Sequence, residues 1–271
     1  MNNNESFFNS VGGGSVFISH SHHDLPKVRK IRNFLEENGF DPLCFFMQCL
    51  SDEDEIEDLL KREIDAREWF AFMESENSLQ SAWVRKERDY IVQNSDKKVL
   101  FYKLRNESSP EDIARSIMDH MTVYVCYSAR EKEYGSAVAG FLKNMDFCVY
   151  DRCEEDEPKD FNYYFSQEYQ KKTEQAIREA AQHGCFLFLM TRKSMQAKLM
   201  LSELRYAMNI GASIAVAFIR VSPWDLPDEL MLLLADASTE EIDEDEQTGL
   251  IQIASLVGRT LLNKDTGKSD S

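Results

Sequence analysis

The sequence predicts an α/β protein made of two consecutive units, each a parallel sheet with helices on both faces. Three observations lead to this prediction. Short apolar runs alternate with segments whose apolar residues recur every three or four positions, the pattern of strands alternating with amphipathic helices. The same order of elements begins again near residue 120. The chain has 271 residues and 43% apolar content, which is enough for two hydrophobic cores.

The first unit is predicted to contain four strands, each followed by a helix. Its strands cover residues 16–20, 42–46, 69–73 and 99–104. Apolar residues at helical spacing mark helices over residues 25–35, 56–64 and 83–92, and a last helix starts at Pro110. Gly39 ends the first of these helices.

The second unit repeats this order from residue 120. Its predicted strands cover residues 123–127, 147–150, 185–190 and 213–219, and its helices lie around residues 135–142, 176–181, 199–208 and 249–262. An insertion rich in Glu, Asp and Tyr precedes the second of these helices. We therefore expect a flexible leader over residues 1–13, domains over 14–119 and 120–264, and a frayed tail over 265–271.

Charge and composition exclude several classes of function. The net charge of −17 disfavours binding to nucleic acid or to an anionic membrane. The chain shows no signal-peptide pattern and no apolar run long enough to span a bilayer, so we expect a cytoplasmic protein. The acidic runs at residues 52–55, 154–157 and 240–246 are predicted to be solvated loops.

The six cysteines are predicted to be free thiols, because most lie in or beside strand-like runs. Two pairs share a CxxxxC spacing, Cys44 with Cys49 and Cys148 with Cys153. Zinc sites favour tighter spacing with a second pair in reach, so this pattern does not indicate a metal site.

The helix after the third strand places a glutamate, Glu87, where the pattern predicts an apolar side chain. Trp83 and Val84 precede it, and Tyr90 and Ile91 follow it, at spacings of three and four residues. The solvent side of the helix is marked by the charged residues Arg85, Lys86, Arg88 and Asp89. Burying a lone carboxylate costs several kcal/mol, so such a position has a compensating partner or lines a cleft.

The second unit repeats this arrangement at Glu203, which has Leu199, Met200, Tyr206 and Ala207 at the same offsets. The structural interpretation is that each glutamate bonds a nearby backbone group or a distant arginine, or lies at a helix edge. Topology favours a functional interpretation, because ligands of doubly wound sheets bind beyond the carboxyl ends of the strands. The loop of residues 19–24 and the segment leading into Glu87 both face that crevice.

These residues resemble a known family. The segments VFISHSHHD and REWFAFMESENSLQSAWVRKE resemble the first-strand loop and the SxxSxWVxxE region of Toll/interleukin receptor (TIR) domains, most of all bacterial and other NAD-consuming members. In the second unit, the segments VYVCYS and MTRKSMQAKLMLSELRYA resemble the same two regions more weakly. The resemblance implies two tandem flavodoxin-like, TIR-type units.

The resemblance also implies site residues. Glu87 is the expected catalytic glutamate, and the residues expected around the nucleotide are Ser19, His20, Ser21, Asp24, Phe46 and Trp83. The second candidate site comprises Glu203, Asp151 and Tyr127. There Leu199 replaces the tryptophan and Ala197 replaces the serine that matches Ser81, which argues against an independent second active site. Asp151 is the acidic residue that often follows the second strand in this family, and the first unit has Phe45 or Phe46 instead.

The activity that the resemblance implies is cleavage of the nicotinamide–ribose bond of NAD⁺. The products are nicotinamide and either ADP-ribose or a cyclic ADP-ribose signal, with NAD⁺ as substrate and no metal or other cofactor. The family further implies a role in immune or antiphage defence, self-assembly with other TIR domains, and a downstream effector that responds to the nucleotide. The acidic run at 52–55 lies where TIR domains place their assembly loop.

Three alternatives remain. His20, His22 and Asp24 partly match the HxHxDH motif of binuclear zinc hydrolases, but Leu25 stands where the last histidine belongs. A non-enzymatic scaffold would act by TIR–TIR assembly alone. In the third alternative, the second unit is a pseudo-enzyme that completes the pocket of the first.

Overall fold

The computed structural model describes residues 14–44, 53–93, 97–105, 107–151, 166–181, 184–243 and 246–263. The chain divides into two compact units, the first ending at Met118 and the second beginning at Asp119. The predicted leader and frayed tail lie outside the described residues, as does most of the acidic insertion. Among the described residues, no helix combines the length and apolar character needed to cross a membrane.

The first unit contains a four-stranded parallel sheet with the order β2-β1-β3-β4. Its strands are β1 (Ser15–Ser19), β2 (Asp41–Leu43), β3 (Trp69–Glu74) and β4 (Lys98–Lys103). The central strands β1 and β3 are buried almost throughout, which explains why they appear in the sequence as continuous apolar runs. The predicted parallel, doubly wound α/β class is confirmed.

The helices of the first unit lie on the two faces of this sheet. They are α1 (Leu25–Glu37), α2 (Glu53–Asp65), α3 (Glu76–Gln80), α4 (Ala82–Gln93) and α5 (Pro110–Met121). Gly39, with φ of +82°, follows the end of α1, as expected for a glycine after a helix. The short helix α3 was not predicted, and a capping box at Ser75 begins it.

The second unit has five parallel strands in the order β6-β5-β7-β8-β9. The strands are β5 (Thr122–Cys126), β6 (Cys148–Asp151), β7 (Cys185–Met190), β8 (Ser213–Ile219) and β9 (Ser238–Ile242). The first four repeat the order of the first unit, and β9 adds an edge strand beside β8.

The strand β9 corrects one prediction, because Glu240 and Glu241 belong to it and not to a solvated loop. Its sequence, STEEI, has the alternating exposure of an edge strand and lacks a continuous apolar run. A second acidic run was assigned wrongly in part, since α2 already begins at Glu53. Acidic residues suit that position, because a helix N-terminus carries a partial positive charge.

The helices of the second unit are α6 (Lys132–Asn144), α7 (Gln167–Ala181), α8 (Lys198–Asn209), α9 (Asp228–Leu233) and α10 (Glu246–Leu262). Helices α7 and α8 pack against each other, and α10 packs against α6. The short helix α9 was not predicted. The four described cysteines, Cys44, Cys126, Cys148 and Cys185, are free thiols, as the sequence predicted.

Candidate functional site

The predicted catalytic glutamate is buried at the carboxyl end of the first strand. Glu87 lies on the inner side of α4 with Val84 and Ile91, and it is only 6% exposed. The hydroxyl of Ser19, the last residue of β1, donates a hydrogen bond to Glu87 Oε2. The hydrogen bond between Ser19 and Glu87 therefore joins the sheet to the helix at the point where the strand order reverses. Proteins with this architecture usually bind their ligands at that point.

The surroundings of Glu87 are apolar. One hydrophobic cluster joins the strand residues Phe17, Phe70 and Phe72 to Val84 and Ile91 on α4. Burial in these surroundings raises the pKa of Glu87 to about 7, and the hydrogen bond from Ser19 opposes part of that rise. Near neutral pH the carboxyl group is therefore close to equally divided between its two protonation states.

The loop after β1 is tied to the loop after β3 through Asp24. Ser75 Oγ donates to Asp24 Oδ2 at 2.5 Å, and Asn77 Nδ2 donates to Asp24 Oδ1 at 2.9 Å. Ser75 also begins helix α3, where its hydroxyl accepts from the backbone of Ser78 at 3.0 Å. Asp24 therefore holds together the two loops that border the crevice.

His20 and Ser21 lie in the same loop, with their side chains directed to local partners. Both are buried, and His20 Nδ1 donates to the Ile18 carbonyl oxygen at 3.0 Å. Burial lowers the pKa of His20, so the imidazole is neutral at pH 7. Ser21 Oγ accepts from the backbone N–H of His23 at 3.4 Å. Among the described residues, no group of three His, Cys, Asp or Glu side chains could hold a metal ion.

Trp83 lies on α4 one turn before Glu87 and is half-buried. The ammonium group of Lys86 lies 4.6 Å from the centre of the Trp83 ring. Phe46, the other aromatic residue expected at the pocket, lies outside the described residues. The strand registers of the two units align Cys44, and neither Phe45 nor Phe46, with Asp151.

A cavity of about 320 Å³ lies between α2 and α4 of the first unit. Glu57, Lys61, Lys86 and Tyr90 are among its lining residues, and Glu87 is not. Glu57 pairs with Lys61 at 2.9 Å and with Lys86 at 3.2 Å. Paired charged side chains of the protein itself therefore line this groove.

The second unit repeats the buried carboxylate with different partners. Glu203 is 5% exposed, and its Oε2 accepts from Tyr124 Oη and from Cys126 Sγ, each at 3.3 Å. Cys126 ends β5 as Ser19 ends β1. Glu203 lies in the wall of a cavity of about 240 Å³ together with Leu199.

Tyr127 and Asp151, the other members of the second candidate site, form a separate pair. Tyr127 Oη donates to Asp151 Oδ1 at 2.6 Å. The Tyr127 ring packs against Gly135 on α6, where a β-carbon would lie 2.2 Å from the ring. Glu203 instead faces the groove between α7 and α8. The structure therefore shows Glu203 bonded to Tyr124 and Cys126, and Tyr127 bonded to Asp151.

Sequence reasoning missed five of these contacts: the Ser19–Glu87 bond, the two ion pairs of Glu57, and the two bonds from Tyr124 and Cys126 to Glu203. The contact of Cys126 could have been predicted from the repeat, because alignment of VFIS with VYVC places Cys126 at the position of Ser19. The pairing of Glu57 with Lys86 joins two helices, and no spacing along one helix predicts it.

The first unit thus defines a class of protein: a doubly wound α/β domain with a buried, helix-borne carboxylate at the carboxyl ends of its parallel strands. Residues 16–119 match the family model described as TIR domain, so the first unit is a TIR domain. The match ends at residue 119, and the assignment of the second unit to this family stays a prediction. No curated protein matches the chain.

Proposed function

We propose that the first unit cleaves NAD⁺ at the nicotinamide–ribose bond, with Glu87 as the catalytic carboxylate. The observation that carries the proposal is the position of Glu87 inside a TIR domain. It is a buried carboxyl group with a raised pKa at the carboxyl end of the sheet, and among the described residues it is bonded to Ser19 and to no arginine. A purely structural carboxylate would be expected to have a cationic partner.

The chemistry requires little beyond one carboxylate. Nicotinamide in NAD⁺ is a pyridinium cation and leaves as a neutral molecule, so its departure needs no general acid. The bond between ribose C1′ and the pyridinium nitrogen breaks, its electron pair stays on that nitrogen, and the sugar becomes oxocarbenium-like. The ionised Glu87 carboxylate stabilises this developing positive charge, and its low-dielectric surroundings strengthen the effect.

Either of two nucleophiles completes the reaction. Attack by water at C1′, with loss of its proton, gives ADP-ribose. Attack by an adenine nitrogen of the same molecule gives a cyclic product. Glu87 is 6% exposed, so the ribose reaches it only when the crevice opens. We connect that opening to assembly with other TIR domains, and we place the nucleotide product in a defence pathway with a downstream effector.

One observation favours a second candidate function, a scaffold that acts through TIR–TIR assembly alone. Among the described residues, the cavity of the first unit is lined by the Glu57–Lys86 pair and not by Glu87. A scaffold needs no path from solvent to the carboxylate.

Incubation of NAD⁺ with the purified, concentrated protein separates the two functions. We expect mass spectrometry to show free nicotinamide in an amount equal to the NAD⁺ consumed, with ADP-ribose or its cyclic form as the second product. The Glu87→Ala protein should release none, whereas Glu203→Ala should have a smaller effect. Equal nicotinamide from wild type and Glu87→Ala, or none from an assembled wild type, contradicts the proposal.

A further inference from the structure

The groove between α7 and α8 of the second unit contains a cavity of about 240 Å³ that the proposed function does not use. Its lining residues come from Ser166 and from both helices, and they include the buried carboxylate of Glu203. Pockets for drug-sized ligands measure roughly 300–1,000 Å³. This cavity therefore suits a small molecule and is too small to enclose a dinucleotide.

The lining of this cavity is acidic and aromatic. Two carboxylates, Glu203 and Glu174, and two tyrosine rings, Tyr169 and Tyr206, contribute to it. No lysine or arginine occurs among the described lining residues. Arg178 on α7 is not a lining residue, but it donates to Tyr206 Oη at 2.8 Å. Carboxylates and aromatic faces together form the usual environment for a nitrogen cation.

In the corresponding groove of the first unit, the chain supplies its own cations. There Lys61 and Lys86 line the cavity and pair with Glu57. At the spacing that relates Glu87 to Glu203, Lys86 corresponds to Ser202, which lines the cavity of the second unit. The buried residues Ile56, Leu60 and Ile64 of α2 align with Thr173, Ile177 and Ala181 of α7, and this alignment pairs Lys61 with Arg178. In the second unit the buried carboxylate of Glu203 lines this groove, Ser202 replaces the cation of Lys86, and Arg178 bonds the Tyr206 hydroxyl.

We propose that this cavity is a binding site for a small organic cation, a quaternary or protonated amine with a short apolar or hydroxylated body. Glu203 is the buried counter-ion, and the rings of Tyr169 and Tyr206 contact the cationic head. Ile177 and Leu199 contact its apolar groups. In this assignment the second unit is a ligand-binding unit, and Glu203 has no catalytic role. The inference does not depend on NAD⁺ cleavage by the first unit.

Isothermal titration calorimetry on the full chain in about 150 mM salt, a physiological ionic strength, tests the proposal. The probes are three cations of increasing size, tetramethylammonium, choline and benzyltrimethylammonium, and the neutral isostere of choline, 3,3-dimethylbutan-1-ol. We expect at least one cation to bind one site per chain, and choline to bind at least about 10-fold more tightly than its isostere. If no cation binds more tightly than the neutral alcohol, the proposal is overturned.

Variants separate this site from general attraction to an acidic protein. Glu203→Gln keeps the shape of the side chain and removes the charge, and we expect it to weaken cation binding at least about 10-fold. Leu199→Trp introduces the residue that the first unit has at Trp83, and we expect it to fill the cavity and abolish binding even if Glu203→Gln fails to fold.

Glu87→Gln is the matched control in the first unit and should bind the cations as wild type does. Unchanged binding in both second-unit variants, or equal losses in the Glu87 control, would contradict the assignment. Nicotinamide release is a separate measurement, so failure of this proposal and failure of the proposed enzymatic function are distinguishable.

Discussion

Glu87 combines a large desolvation penalty with a hydrogen bond from Ser19. Its pKa of about 7 lies above the ordinary value of 4.5 because burial disfavours the charged form. Catalysis by electrostatic stabilisation requires the charged form. Near neutral pH, burial of the charged form of Glu87 therefore lowers the free energy of unfolding. Such destabilising groups are common at functional sites.

The first prediction concerns the pH dependence of stability. A carboxyl group whose pKa is higher in the folded protein binds more protons there than in the unfolded chain. Its contribution to the free energy of unfolding is therefore fully present below pH 4.5 and is lost as the pH rises through about 7. A shift from 4.5 to about 7 corresponds to about 3 kcal/mol.

Glu87→Gln removes this titration. We expect the variant to be more stable than wild type at pH 8, by an amount that shrinks towards pH 5. Urea unfolding at both pH values measures the difference, and Glu36→Gln, at an exposed position on α1, is the control. A difference between wild type and Glu87→Gln that stays constant from pH 5 to pH 8 would show that Glu87 does not titrate in this range.

Among the structural elements, the two loops that border the crevice are tied in the same way in both units. Asp24 accepts from Ser75 at 2.5 Å in the first, and Glu131 accepts from Thr191 Oγ1 at 2.7 Å in the second. The pairing occurs in both units although the residues of the candidate site differ between them. Because both units have this hydrogen bond between their loops, we attribute it to the fold. In the first unit, Asp24 therefore positions the loop that contains Ser19.

We expect Asp24→Ala and Glu131→Ala each to destabilise their own unit by about 1.5 to 3 kcal/mol, the usual contribution of a hydrogen bond to a charged group. Hydrogen exchange resolved by peptide shows in which unit protection is lost. Glu37→Ala, on the exposed side of α1, is the control for loss of a carboxylate without this tie. Protection that falls equally in both units for each variant would rule out the assignment.

Sequence patterns predicted the central strands and long helices because parallel strands buried on both faces form continuous apolar runs, and amphipathic helices show clear periodicity. The burial of Glu87 and Glu203 followed from the same periodicity. The edge strand β9 escaped prediction because its residues alternate between partly and fully exposed as far as Glu241, so its sequence contains no apolar run. Ser19 was predicted at the site, but its bond to Glu87 depends on how β1 and α4 meet in space.

In the whole molecule, the repeat serves as an internal comparison. Both units keep the parallel strand order, the buried glutamate and the loop tie. They differ at Trp83 against Leu199, at Ser19 against Cys126, and in the contents of the groove. Features that both units share follow from the fold, whereas the differences indicate a separate role for each unit.

The acidic run at residues 52–55 is predicted to affect self-association of the whole molecule, because TIR domains place their assembly loop there. We expect reversal of these four charges to change the sedimentation coefficient distribution at high protein concentration. A control with reversed charges at the exposed residues Glu36 and Glu37 separates a specific contact from a change in net charge. Unchanged sedimentation of the 52–55 variant would count against this role.

The most direct test of the central claim is the initial rate of nicotinamide release from NAD⁺ by the Glu87→Gln protein at pH 8, relative to wild type at the same concentration. Glutamine keeps the shape of the side chain and the bond from Ser19 but carries no charge. If the ionised carboxylate stabilises the oxocarbenium-like sugar, the rate should fall at least about 100-fold, in the range found when one electrostatic contact to a transition state is removed. A rate within a factor of about three of wild type, a difference below 1 kcal/mol in barrier height, would contradict the account.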